Sequence, residues 1–189
     1  MDYINDREKL IEILKKNLSE DRLRHSLSTE KRALQLAKIH GENEKKAGFA
    51  GLMHDVTKCF NNEKLAAQYG IKDYTSPKVL HQFTGSIYLE NHGITDDEDI
   101  LNAVKYHTTG RAGMSRLEKI IYLADLTEET RSFEGVEKMR NLSDKNLDKA
   151  MLSSLASTII LLAKQNLPID ELTLNAYNYF ISQNKKENF

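Results

Sequence analysis

Ala47-Gly48-Phe49-Ala50-Gly51-Leu52-Met53-His54-Asp55-Val56-Thr57-Lys58 is apolar nearly all round through Met53, the pattern of a helix buried on every face, and then sets an imidazole beside a carboxylate at its inner end. Alone, a His-Asp pair at a helix terminus is usually a surface pair. Four more candidate ligands, His25, His81, His107 and Asp125, fall near the inner faces of four other predicted helices.

Outward from that stretch the chain reads as all-α. Two prolines, few glycines and no sustained apolar/polar alternation argue against a sheet, while caps and three-to-four-residue apolar spacing recur throughout. Upstream, a helix over about Asp6 to Asn17 is expected with Leu10, Ile11 and Leu14 on one face. Ser19 caps a second one ending at His40 and Gly41, with room for a break near Ser26–Ser28. Asn43 caps the central helix, and a short helix follows to Tyr69 and Gly70.

Ser76-Pro77 opens the next helix, which holds His81 in its first turn and ends at His92 and Gly93. Asp96 or Asp97 starts another that runs out at His107, and Thr108 to Met114 is a glycine-bearing loop able to approach a ligand. Ser115-Arg116-Leu117-Glu118 fits a capping box; in the helix it opens, Leu117, Ile121, Ala124 and Asp125 share a face. Ser143 is expected to cap a long segment whose apolar face runs from Leu152 through Leu155, Ala156, Ile159 and Ile160 to Ala163. Leu167-Pro168 ends it, and a last helix carries Leu172, Leu174, Tyr177 and Phe180. The tail Asn184 to Asn188 is expected to fray.

The 189 residues suit one domain, 1–189, with a metal-site core over about 19–131 and C-terminal helices over 143–183 packed on it. A formal net charge of -1 and a pI near 6.6 give no reason to expect a nucleic acid or an anionic membrane as partner. The single cysteine, Cys59, excludes an internal disulfide and fits a reducing cytoplasm. The first residues are too polar for a secretory signal, and the most apolar run, Leu155 to Ala163, falls short of the roughly 20 residues of a membrane span. Spare helical faces leave a homodimer open.

Each polar candidate has a plainer explanation. A buried acid paired with arginine accounts for Asp125 as well as metal ligation does. The helix macrodipole favours a histidine where His107 sits, and His25, between Arg24 and Ser26, reads locally as a surface residue. His40 and His92 precede terminating glycines and belong to helix ends. Taken jointly, imidazoles and carboxylates without thiolates suit a divalent ion such as Fe, Mn, Co, Ni or Zn with positions left for water and substrate oxygen, and hydrolysis of a phosphate ester or anhydride follows naturally.

His25, then His54-Asp55, then Asp125 match the order of the HD-domain metal-dependent phosphohydrolases. The contexts Arg22-Leu23-Arg24-His25-Ser26-Leu27, Gly51 to Lys58, Leu80-His81-Gln82-Phe83-Thr84-Gly85 and Lys105 to Arg111 resemble the YqeK-type bacterial diadenosine tetraphosphate hydrolases, over about Asp6 to Tyr179. The resemblance implies an HD-domain helical bundle that cleaves diadenosine tetraphosphate symmetrically to two ADP at an iron-type centre of one or two ions. It implies His25, His54, Asp55 and Asp125 as metal ligands, and Lys58, His81 and His107 around the phosphates.

Lys58 follows Asp55 by three and Arg22 precedes His25 by three, which puts two cations at one mouth. The catalytic set expected is Asp55, Lys58, His81 and His107, with His81 or His107 as proton donor to the leaving group. Arg22, Lys58, His81, His107, Thr108, Arg131 and Asn175 are the expected substrate contacts, and a surface ion pair or solvated side chain remains open for Arg22, Lys58 and Arg131. The alternatives in function are an HD-domain nucleotidase or phosphatase acting on mononucleotides, and a non-catalytic nucleotide-binding helical module.

Overall fold

In a computed structural model, which describes residues 1–186, the chain forms ten α-helices and one short 3-10 turn. They are α1 (Tyr3–Asn17), α2 (Glu20–His40), α3 (Glu44–Met53), α4 (Asn62–Gln68), α5 (Leu80–Asn91), α6 (Glu98–Lys105), α7 (Arg116–Thr127), α8 (Val136–Lys145), α9 (Leu147–Lys164) and α10 (Glu171–Lys186), with the 3-10 helix Pro77–Val79 leading into α5. Among the described residues there is no strand.

The buried α3 is the hub. Every residue from Ala47 to Met53 is buried, and α3 packs on α1, α2, α6 and α7. Glycine permits the closest of these approaches: a Cβ at Gly51 would lie 2.9 Å from Ala33 Cβ and 3.1 Å from Glu30 Cα on α2, and one at Gly48 would overlap the Tyr3 ring of α1. Tyr3 in turn donates to Glu30 at 2.5 Å, and Arg7 makes a two-pronged pair with the same buried carboxylate at 2.7 Å on each side. These bonds fix α1 to α2 with no unpaired buried charge.

Several termini follow the caps in the sequence. Ser19, Asn43, Asp97 and Ser115 accept the first amides of their helices, and Gly41 closes α2 at φ 65°. Others differ. Asp2 caps α1, so that helix starts at Tyr3, a turn before Asp6. No break occurs at Ser26–Ser28, because the hydroxyl-rich turn faces inward on a continuous α2. Only half of the capping box forms: Ser115 Oγ accepts from Glu118 N at 3.2 Å, while the Glu118 carboxylate is buried and taken by Arg111 at 2.7 and 2.8 Å.

The C-terminal region needs the larger correction. Ser143 does not cap the long segment; it lies inside α8, donates to Arg140 O and accepts from Arg32. Asn146 caps α9. The start of α8 had no polar signal to find, since its cap is Gly135 in the left-handed region at φ 89° with no side-chain bond. On α9 the buried face is Leu147, Ala150, Met151, Ser154 and Leu155, and the apolar run beyond it surfaces, with Ile160 and Leu161 each 54% exposed. On α10, Thr173, Ala176 and Phe180 are buried while Leu174 is exposed. α10 runs through Lys186, and Glu187 and Asn188 of the tail lie outside the described residues. No described helix is long and apolar enough to cross a membrane.

Candidate metal centre

Five segments converge on one point. α2 supplies Arg22 and His25, the turns after α3 supply His54, Asp55 and Lys58, α5 supplies His81, the end of α6 supplies His107 and Thr108, and α7 supplies Asp125. α3 stops at Met53, and i to i+3 turns carry the chain on through Lys58, which keeps Lys58 Nζ 3.9 Å from Asp55 Oδ1.

Each histidine is oriented by the bond its Nδ1 makes. His54 donates to Gly51 O at 2.8 Å, His81 to Lys78 O at 3.0 Å and His107 to Val104 O at 2.7 Å. His25 faces Glu128 Oε1 at 3.2 Å. A carbonyl only accepts, so Nδ1 of the first three rings holds the proton and Nε2 presents a lone pair. Those lone pairs meet: His54 Nε2 is 3.3 Å from His25 Nε2, and His81 Nε2 is 3.1 Å from His107 Nε2. Burial, against the pull of Asp55 and Asp125, lowers His54 to about 4, and burial with neighbouring His107 and Lys58 lowers His81 to about 2, so these two rings are uncharged at neutral pH.

The carboxylates close the group. Asp125 Oδ1 is 3.0 Å from His25 Nε2 and 4.0 Å from His54 Nε2. Asp55 is divided between the two ring pairs: Oδ2 lies 3.9 and 3.6 Å from His25 and His54, and Oδ1 lies 3.3 and 3.6 Å from His81 and His107. Burial pushes both acids up, but His54, His107 and Lys58 hold Asp55 well below the carboxylate range, and His25, His54 and Arg131 do so for Asp125. Asp55 Oδ1 is buried with no hydrogen-bond partner among the described residues. An orphaned anionic oxygen among facing lone pairs is the donor set a divalent cation satisfies, and its oxygen and imidazole chemistry fits such an ion.

Cations rim the centre. Arg22 Nη1 is 3.4 Å from Asp55 Oδ2, Lys58 donates to His81 Nε2 at 3.0 Å, and Arg131 binds the Asp125 side chain and its carbonyl. Burial also lowers the pKa of Lys58, partly offset by Asp55. Thr108 Oγ1 reaches His81 Nε2 at 3.1 Å, and its loop is held by Gln82, whose Oε1 accepts from Thr108 N and Thr109 N, both at 3.1 Å. Asn175 is apart, exposed on α10; its neighbours Thr173 and Ala176 are the residues turned toward the Thr109–Gly110 backbone. His40 and His92 bond to Ser143 O and Tyr88 O at helix ends.

Two residues that the sequence reading passed over hold the centre. Glu128, wholly buried, accepts from His25, Thr130 N and Thr130 Oγ1. Its position three after Asp125 was the available signal. Arg140 of α8 donates to the carbonyls of Thr127, Glu128 and Arg131, which pins the segment carrying Glu128 and Arg131.

The HD-domain pattern matches residues 22–130 of the chain. A symmetrical bis(5'-nucleosyl)-tetraphosphatase of Halalkalibacterium halodurans is 38% identical over 95% of this chain and 100% of its own length, and one of Bacillus subtilis is 34% identical over 94% and 98%. A crystal structure from Clostridium acetobutylicum, described as a predicted HD superfamily hydrolase involved in NAD metabolism, superposes with a TM-score of 0.90 at 38% identity, covering 94% of this chain and 97% of that one. With the match spanning both halves of the His25/His54-Asp55/Asp125 constellation, the chain belongs to the HD-domain family of hydrolases.

Proposed function

We propose that this protein hydrolyses diadenosine tetraphosphate and related dinucleoside polyphosphates symmetrically, giving two ADP, and that it does so as one HD domain with iron as its metal. The carrying observation is the convergence of four imidazole Nε2 atoms with Asp55 and Asp125 at a point rimmed by Arg22, Lys58 and Arg131, in a chain similar along its length to named symmetrical tetraphosphatases. The division of Asp55 between two histidine pairs supports two ions, with Oδ2 serving the His25–His54 side and Oδ1 the His81–His107 side. Glu128, accepting from His25 Nδ1, sets the orientation of that ring.

When bound, such ions polarise a phosphoryl oxygen and acidify water toward neutrality. The chain's own residues supply the rest. Arg22 and Arg131 hold the polyphosphate against the centre by charge and by the planar fork of the guanidinium. Lys58, the cation nearest the His81–His107 pair, stabilises charge that develops on the leaving ADP, and its burial makes its proton easier to give up. His81 and His107, with Nδ1 committed to carbonyls and Nε2 turned to the cluster, act as ligands in this reading, and Lys58 takes the proton-donor role. The Thr108 hydroxyl and loop amides border the phosphates.

Anaerobically purified protein should contain stoichiometric iron and convert diadenosine tetraphosphate to ADP as sole nucleotide product. Mononucleotides hydrolysed with equal efficiency would favour a nucleotidase. Metal-free protein that binds ADP without turnover would favour the binding module.

A further inference from the structure

Gln82 follows His81 on α5 and has no solvent exposure. Its Oε1 accepts from the amides of Thr108 and Thr109, both at 3.1 Å, and its Nε2 donates to Thr109 Oγ1 at 3.0 Å. From the other side, the buried Thr173 Oγ1 of α10 donates to the Thr109 carbonyl at 3.0 Å. The loop that follows His107 is therefore clasped between α5 and α10 by two buried polar side chains.

What the clasp fixes is the residue at its centre. The Thr108 amide belongs to the peptide plane before the Thr108 Cα and the Thr109 amide to the plane after it, so two N–H groups aimed at one oxygen set both planes and, with them, the direction of the Thr108 side chain. That side chain is half-buried, and its Oγ1 lies 3.1 Å from His81 Nε2. Since His81 Nδ1 holds the ring proton against Lys78 O, the hydroxyl is the donor in this contact. The neighbouring donors are spent within the loop and its clasp: Thr109 N on Gln82, Thr109 Oγ1 on Gly110 O at 3.0 Å, and Gly110 N on Tyr106 O at 2.9 Å. Of residues 108–110, the one that carries a donor to the centre is Thr108.

We infer that Gln82 is a positioning residue of the hydrolase: it acts through Thr108, holding that hydroxyl as a hydrogen-bond donor to a phosphoryl oxygen on the His81–His107 side. This assignment rests on the reading of the centre as a dinucleotide phosphohydrolase. When His81 Nε2 serves as a ligand its lone pair no longer accepts, and the Thr108 proton is left for the substrate oxygen beside it, a bond that strengthens as negative charge builds there. An apolar side chain of similar length at position 82 would fill the space but leave two amides unpaired, and a loop that turned them toward water would carry the Thr108 hydroxyl away with them.

Gln82→Met and Thr108→Val, made singly and together, form a double-mutant cycle read by hydrolysis of diadenosine tetraphosphate, with metal content expected to stay at the wild-type level throughout. Each single change should lower kcat/KM about tenfold, while Gln82→Met in the Thr108→Val background should lower it less than about twofold, because the group it positions is already gone. Thr108→Ser keeps the hydroxyl and should keep most of the rate. An equal loss from Gln82→Met with and without the Thr108 hydroxyl overturns the assignment and leaves Gln82 a packing residue. Amide hydrogen exchange in the metal-free protein gives a reading independent of turnover: the Thr108 and Thr109 amides should be protected in the wild type and exposed in Gln82→Met, and wild-type amides that exchange freely overturn the clasp. If Gln82→Met does not fold, Thr173→Val, which loosens the same loop by one bond, takes its place in the cycle. Wild-type protein that leaves diadenosine tetraphosphate intact, its two amides still protected, overturns the phosphohydrolase reading on which the assignment stands.

Discussion

The Nδ1 of His25 lies 3.2 Å from Oε1 of Glu128, a carboxylate with no solvent exposure. That bond turns His25 Nε2 toward Asp125 and His54. Glu128→Gln keeps the shape and weakens the acceptor, so metal affinity should drop on the order of tenfold to a hundredfold while helix content stays the same. Competition with a chelator measures it. Unaltered affinity would mean that Glu128 serves only to order Thr130 and Arg131.

His54→Ala removes a ring from the centre, the one whose Nε2 lies 3.6 Å from Asp55 Oδ2. Metal content should fall well below one ion per chain, and hydrolysis should fall by about a thousandfold or more, since the acidified water goes with the ion. Retention of full metal occupancy in this variant would contradict the site.

Lys58→Met tests charge stabilisation without touching the expected ligands. Metal content should hold, and kcat should fall on the order of a hundredfold, the size of effect seen when a single transition-state donor is removed. Lys58→Arg restores charge but not the shape or the acidity, and should recover only part of the rate. A Lys58→Met enzyme with wild-type kcat would remove Lys58 from the mechanism.

Acid should destabilise the metal-free protein in two stages. His54 is lowered from 6.5 to about 4 in the fold, so between those values the unfolded chain binds a proton that the folded one refuses, and stability falls as pH drops. For His54 alone this amounts to about 3 kcal/mol. Asp55 and Asp125 are held below their ordinary 3.8, so their contribution is intact above that value and is lost as pH falls through their folded values. Urea titrations of the metal-free protein from pH 7 to 4 read the first stage, and a flat profile would refute it.

Gly51→Ala should push α3 away from α2, because the new methyl would meet Ala33 Cβ at 2.9 Å and the α2 backbone near 3.1 Å. Overpacking of this kind costs about 1–3 kcal/mol, which exceeds the helix-propensity gain of roughly 1 kcal/mol for alanine over glycine. The melting temperature should fall by about 2–4 °C per kcal/mol, and metal affinity should fall with it, since His25 and His54 ride on the two helices being separated. A rise in melting temperature would show that α2 yields without cost.

Much of this architecture was legible along the chain. Caps at Ser19, Asn43, Asp97 and Ser115 and stops at Gly41, Gly70 and Gly93 are local chemistry, written within a few residues of where they act. The apolar run before His54 likewise announced burial. α8 was not legible, because Gly135 caps it by backbone conformation alone, and its value lies in Arg140 reaching the end of α7. His25 looked like a surface residue because its partners, Asp125 and Glu128, are about a hundred positions away.

What the sequence determined by itself was the set of helices, the buried central one, and the supply of imidazoles and carboxylates, since periodicity, capping and residue chemistry are properties of short segments. What only the tertiary structure decided was which atoms face each other: the split of Asp55 between two histidine pairs, the buried Glu128 behind His25, and Arg131 drawn onto Asp125. Those relations depend on helix crossing and ring orientation at the ångström scale, and they are set by how closely Gly51 lets α3 approach α2 and by the carbonyls that hold Nδ1 of His54, His81 and His107.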